Sequence, residues 1–184
     1  MLRPRLWRGK ITKLLSKYCD FTIGLDIKFQ RFLKDTYKIE YIIADARRLP
    51  IRQSTIDFVT AISLLEHVPG WWQIIKQVSK ILRISGTFII QLPNLKYIIE
   101  PHTKIPLLAL MPNRIRYSLA QSVNYGDLQF DCILDKVLKR VRENFKIVGI
   151  IYHYHIKTLS NILPAPSYII IALANSKTRR SIRY

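Results

Sequence analysis

The sequence is poor in acidic residues, cysteine and glycine, and it contains no long apolar run. Its 184 residues hold 12 Asp plus Glu against 30 Lys plus Arg, with two cysteines and six glycines. Cys19 and Cys132 lack any paired C-x-x-C spacing, which excludes a zinc ribbon, a dithiol redox motif and a disulfide scaffold; buried free thiols are expected. The longest apolar stretches, near 105–111 and 168–174, fall well short of the roughly 18 to 20 residues that span a bilayer. No apolar segment follows Arg3, Arg5 and Arg8, so the N-terminus does not read as a secretory signal and a cytoplasmic location is expected. What is present is 49% hydrophobic and 11% aromatic residues, enough for a packed core and too many for a disordered polyelectrolyte. The length suits a single domain over 1–184.

The scarcity of acids leaves a formal net charge of +18, unevenly spread. Residues 1–18 carry six basic groups and no acidic one, and residues 175–184 carry four basic groups. A balance this basic points to an anionic partner: nucleic acid, anionic lipid or a phosphorylated substrate.

Hydrophobic periodicity supplies the architecture. Ile11, Leu14, Leu15 and Tyr18 mark a short helix, and Phe21–Leu25 reads as a strand ending at Asp26. Phe29, Phe32, Leu33 and Tyr37 mark a second helix, followed by a buried strand, Ile39–Ala44, that ends at Asp45. Phe58–Ile62 is a third strand. Ile74, Ile75, Val78, Ile81 and Leu82 line a third helix that Gly86 is expected to stop, and Thr87–Leu92 is a fourth strand. A Pro-containing stretch of weak periodicity runs to about Gly126, a helix is expected over Asp127–Glu143, and Phe145–Tyr152 and Tyr168–Ala174 are closing strands. Apolar strands alternating with amphipathic helices give an α/β, doubly wound, mostly parallel sheet. About 15 residues with two prolines join the last two strands, too little for a helical crossover, so an antiparallel last strand is expected. Ligands of such sheets bind beyond the carboxyl ends of the strands, which directs attention to Asp26, Asp45, 62–67 and 93–102.

Those strand ends resemble a class I S-adenosylmethionine-dependent methyltransferase of the type-11 group, with its Rossmann-like fold. GLDI (Gly24–Ile27) is similar to the family's second strand, ADARRLP (Ala44–Pro50) to the stretch after the third, IDFVTAISLLEHV (Ile56–Val68) to the fourth strand and turn, and VSKILRISGTFIIQLPN (Val78–Asn94) to the helix and fifth strand. The resemblance implies S-adenosylmethionine as cofactor, with Asp26 on the ribose hydroxyls, Asp45 on the adenine, and Gly9, Ile27, Ala46 and Ser63 also cofactor-facing. The residues agree, since a ribose diol needs a fixed carboxylate and an adenine needs apolar walls with one acceptor. Helix N-capping or a loop turn is the competing reading of both aspartates.

The sequence departs from the family at its start. Gly9 stands where a G-x-G-x-G loop would end, but Arg5 and Trp7 occupy the two earlier glycine positions, and no first strand precedes them. That strand is central in the fold. Its loss leaves backbone groups on two neighbours unpaired, at about 1 to 3 kcal/mol for each buried group. The expectation is therefore a lost beginning, with residues 1–8 as an atypical basic N-terminus; a poor replacement strand or a decayed relative are the alternatives.

Methyl transfer from a sulfonium asks the protein to position a nucleophile and, where needed, to take its proton. Glu66 and His67, just past the fourth strand, and His102, in IEPHTKIPLLALMP, are the candidate catalytic groups. Residues 95–126 resemble a substrate-side insert, and Ile105, Leu107, Leu108, Leu110 and Met111 suit a small apolar or lipid-like acceptor if they form a lid rather than core. His153 and His155 lack carboxylate or thiol company, so no metal site is expected. An RNA-directed methyltransferase or basic RNA-binding protein, working through the basic tails, is the second reading. A noncatalytic remnant, oligomer or partner subunit is the third.

Overall fold

The computed structural model describes residues 10–28, 38–100, 102–153 and 166–175. Gly9, the helix expected over 29–37, His155 and the tail beyond Asn175 lie outside the described residues. The chain folds as two compact units, Met1–Pro50 and Ile51–Tyr184.

In the first unit, α1 (Lys10–Leu15) leads into β1 (Thr22–Asp26), which pairs in parallel with β2 (Ile39–Ile43). Gly24 lies opposite Tyr41 in this register. A Cβ on Gly24 would stand 2.5 Å from the Tyr41 ring and 3.3 Å from Thr12 Cγ2, so glycine is what lets the tyrosine and α1 lie against β1. Asp26 ends β1, and its carbonyl accepts the Ala44 N–H at 3.0 Å, which brings the chain entering Asp45 to the same end of the sheet.

The second unit holds a four-stranded sheet in the order β3-β4-β6-β5: β3 (Ile56–Ile62), β4 (Leu82–Pro93), β5 (Phe145–His153) and β6 (Ser167–Ala174). β3 and β4 are parallel, and β6 runs antiparallel to both β4 and β5, as the short Pro-bearing connection requires. Phe88, Ile90 and Leu92 alternate into the core from β4, with Ile170 and Ala172 from β6, the period-2 pattern of a strand. α2 (Trp72–Ile81) buries Ile74, Ile75, Val78 and Ile81, and α4 (Leu134–Arg142) buries Val137, Leu138 and Val141; the helices pack on each other and on β4 and β5.

Three expectations are corrected. Gly86 does not stop α2. The helix ends at Ile81, Leu82 is already extended, and Gly86 sits within β4. Leu82 pairs with Ile56 and Thr87 with Phe58, so residues 83–86 bulge opposite Asp57, and it is Ser85 that takes the left-handed conformation (φ 62°). Gly86 is needed there because a Cβ would lie 2.9 Å from the Arg83 carbonyl oxygen. The helix expected over Asp127–Glu143 begins only at Leu134; before it, Leu128, Phe130 and Cys132 alternate inward from turns. Cys19 is half-buried, while Cys132 is buried.

The stretch of weak periodicity holds α3 (Asn113–Ser122), which starts directly after Pro112, and a small core of its own: Leu95, Leu108, Ala120, Leu128 and Phe130. Leu108 is core, whereas Leu107 and Leu110 are exposed, so the apolar residues of the insert divide between packing and surface. Among the described residues, no helix is long and apolar enough to cross a membrane.

Candidate active site

β3 ends in strain. Ser63 stands at φ 44°, a conformation that costs a non-glycine residue about 1 to 2 kcal/mol, held by its hydroxyl donating to Gln91 Oε1 at 2.7 Å and its N–H to the Gln91 carbonyl. The chain then makes a 3-10 turn over Leu65–His67, pinned where the Gln129 N–H donates to the Glu66 carbonyl at 2.7 Å. The turn sends Leu65 and Glu66 inward and leaves His67 partly open.

The insert meets this turn through a tight loop. Ile99 bridges Pro106, the Glu100 N–H donates to the Ile105 carbonyl, and the Glu100 carboxylate accepts the N–H groups of His102 (2.9 Å) and Thr103. Glu100 thus caps its own loop. Its second oxygen stands 3.1 Å from His102 Nδ1. Burial alone would raise the Glu100 pKa, yet hydrogen bonds from His102 and Thr103 hold it below the usual glutamate value.

These two pieces bring Glu66, His67 and His102 together. Their ligand-capable atoms all lie within 4.8 Å of one another. His102 Nε2 is 3.7 Å from Glu66 Oε1, and the two imidazole rings meet edge-on with centroids 5.0 Å apart. His67 Nδ1 lies 3.2 Å from Asp127 Oδ2, and the Tyr125 ring stands 5.5 Å from that of His102. The Glu66 side chain is fully buried, and neither carboxylate oxygen has a hydrogen-bond partner among the described residues. Burial pushes its pKa up to about 7, with the nearby His102 opposing. Burial likewise lowers the His67 pKa, with Asp127 opposing. A carboxyl and two imidazoles so arranged can take a proton from, or orient, an acceptor hydroxyl or amine.

Glu100, Asp127 and Tyr125 are the participants that the sequence reading missed. Glu100 had one signal, an acid inside the apolar run IIEPH of a chain with few acids. Asp127 and Tyr125 had none, because the contacts that bring them in span 60 and 23 residues.

The cofactor-side candidates are built differently. Asp26 is exposed at the tip of β1, where its Oδ1 accepts the Lys28 N–H at 3.0 Å, and Ile27 beside it is exposed. Asp45 accepts the Arg47 N–H at 2.8 Å and is clamped by the Arg47 guanidinium, with contacts of 2.7 and 3.0 Å. The Arg47 side chain, followed by its backbone N–H, holds the Asp45 carboxyl below its ordinary range. Ala46 is half-buried. Both aspartates thus make the loop turns that compete with a cofactor role, and Arg47 occupies most of the acceptor capacity of Asp45.

Residues 8–90 match the protein family described as Methyltransferase domain. No match is found among curated proteins. Of solved structures, an S-adenosylmethionine-dependent methyltransferase from Mesorhizobium loti is similar over 90% of this chain and 86% of its own, at 15% identity and a TM-score of 0.67. One from Archaeoglobus fulgidus is similar over 90% and 81%, at 16% identity and a TM-score of 0.67. A structure of the Haloferax volcanii Trm112 methyltransferase activator in complex with a methyltransferase matches over 91% and 79%, at 12% identity and a TM-score of 0.63. At these identities the likeness is one of fold.

Proposed function

We propose that this chain, whose residues 8–90 belong to the methyltransferase domain family and which has the fold of class I S-adenosylmethionine-dependent methyltransferases, methylates a small apolar or lipid-like acceptor. The observation that carries the reading is the gathering of buried Glu66 and partly buried His67, just past the end of β3, with partly buried His102 of the insert, a carboxylate lying beside each imidazole. S-adenosylmethionine supplies an electrophilic methyl on a sulfonium. Asp26 would hold the ribose diol, and its exposure at a strand tip fits that task. Ile27 and Ala46 would flank the adenine. Asp45 fits less well as a direct acceptor, and its role is proposed as setting the 45–48 turn through Arg47.

On the acceptor side, His102 is hydrogen-bonded by Glu100 and so is oriented before an acceptor arrives, while His67 lies beside the Asp127 carboxylate. Glu66 and the two imidazoles then take the proton released on methylation of an oxygen or nitrogen nucleophile. Exposed Leu107 and Leu110 beside the insert core support an apolar acceptor. A cytoplasmic location is carried with this reading. A partner subunit is proposed as well, by analogy with the activator complex from Haloferax volcanii, and light scattering of the full chain tests it.

The test is calorimetric titration of the full chain with S-adenosylmethionine, followed by incubation with methyl-tritiated cofactor and a panel of alkyl phenols, quinols and bulk RNA. Expected are saturable cofactor binding, weakened at least about tenfold in Asp26→Ala, and label recovered in the organic phase. Label recovered in RNA overturns the acceptor class, in favour of the reading that the +18 charge supports. Absence of cofactor binding overturns the function.

A further inference from the structure

Glu66 poses a problem that proton transfer does not solve. An ionised carboxylate without a hydrogen-bond partner among the described residues, in a fully buried site, costs several kcal/mol, and proteins meet that cost by protonating the group, by pairing the charge or by binding a cation. His102 does not close the gap, since 3.7 Å is too long for a hydrogen bond. Of the two imidazoles beside Glu66, His102 carries the hydrogen-bonded outer carboxylate typical of a metal-ligating histidine, and His67 has a carboxylate nearby without a hydrogen bond to it. Glu100 sits on His102 Nδ1 at 3.1 Å, which leaves Nε2 directed at Glu66, and Asp127 lies 3.2 Å from His67 Nδ1.

We propose that Glu66, His67 and His102 form a binding site for a divalent transition-metal ion, with Glu100 orienting His102 and Asp127 beside His67. Two imidazoles and one carboxylate favour zinc or iron(II) over calcium and magnesium, which take mostly oxygen ligands. Bonds of about 2.0 to 2.2 Å place neighbouring ligand atoms roughly 3 to 3.5 Å apart. The Glu66–His102 pair at 3.7 Å is already near that spacing, and the full set lies within 4.8 Å. Three protein ligands leave at least one coordination position open, as in catalytic rather than structural sites. In the methyl-transfer reading, that position is where an acceptor oxygen would bind and lose its proton more readily. This role rests on that reading, whereas the metal site itself rests on the geometry alone.

The experiment uses the full chain stripped with a chelator and titrated with zinc chloride by calorimetry and with cobalt chloride by visible absorption. Expected are one equivalent bound, a d–d spectrum showing nitrogen and oxygen ligation, and affinity reduced at least about 100-fold in Glu66→Gln and His102→Ala. Glu100→Gln is expected to weaken binding roughly 10- to 100-fold through the outer shell. Zinc should raise the melting temperature of the parent and leave that of Glu66→Gln unchanged, a readout that also reports whether the variant is folded. Absence of a saturable equivalent overturns the proposal. So does affinity unchanged in folded Glu66→Gln, or affinity lost only when His153 and His155 are replaced. Methyl transfer enters none of these readouts, so an inactive chain leaves the metal result standing, and an active chain insensitive to chelator retains the proposed function without the metal.

Discussion

The acidic residues of the two units are handled in opposite ways. In the first unit, Asp26 and Asp45 sit at the tips of β1 and β2 and each accepts an N–H two residues ahead, an arrangement that local sequence is enough to build. In the second, the Glu100 carboxylate is fully buried with its hydrogen bonds satisfied inside a loop, and the Glu66 carboxylate is fully buried with no hydrogen-bond partner among the described residues. A carboxylate satisfied locally stabilises its turn, whereas one buried without partners is retained at a cost to stability. That difference is why the Glu66 site, more than the strand tips, carries the functional argument.

Mutation can break this contrast, and the largest effect should come from Glu100. Replacing it with alanine leaves the His102 and Thr103 N–H groups and the His102 ring without their acceptor, and a loss of about 3 to 5 kcal/mol in urea denaturation is expected. A loss below about 1 kcal/mol would show that the loop does not depend on its cap. Gly24→Ala should follow, at roughly 1 to 3 kcal/mol, because its Cβ would press the Tyr41 ring. Glu66→Gln should keep or slightly raise stability in metal-free buffer above about pH 7, since the carboxylate has no hydrogen-bond partner among the described residues to lose and its buried charge is removed. A destabilisation matching that of Glu100→Ala would erase the distinction between the two glutamates.

The smallest effect belongs to Asp45. Its pKa is depressed in the folded chain, so its contribution is present above the unfolded carboxylate range near pH 4 and fades as pH falls through the lower folded value. The pair is largely solvent-screened, so its contribution is small. Melting curves of parent and Asp45→Asn should therefore differ slightly at neutral pH and converge in acid. Divergence in acid would reverse the sign assigned here.

Much of the fold was legible because its strands announce themselves. The β-branched runs of β1, β2, β3, β5 and β6 need no tertiary information, and two prolines in a short connection sufficed to turn β6 antiparallel. α3 was hidden because Asn113, Arg114, Arg116, Ser118 and Gln121 dilute its apolar face. Residues 127–133 read as helix because inward residues at 128, 130 and 132 precede a true helical stripe, although their spacing of two belongs to extended or turning backbone. In the site, Glu66, His67 and His102 were found from their places after strands. Asp127 was not, because the contact it makes to His67 crosses 60 residues and depends on the Gln129 N–H tying that loop to the Glu66 carbonyl.

The most direct test of the acceptor site is single-turnover methyl transfer by the parent and Glu66→Gln at matched cofactor saturation, using the acceptor found in the labelled panel. Equal affinity for S-adenosylmethionine and a rate reduced roughly 100-fold are expected. An unchanged rate in a folded, cofactor-bound Glu66→Gln chain would contradict the proton-accepting role of Glu66.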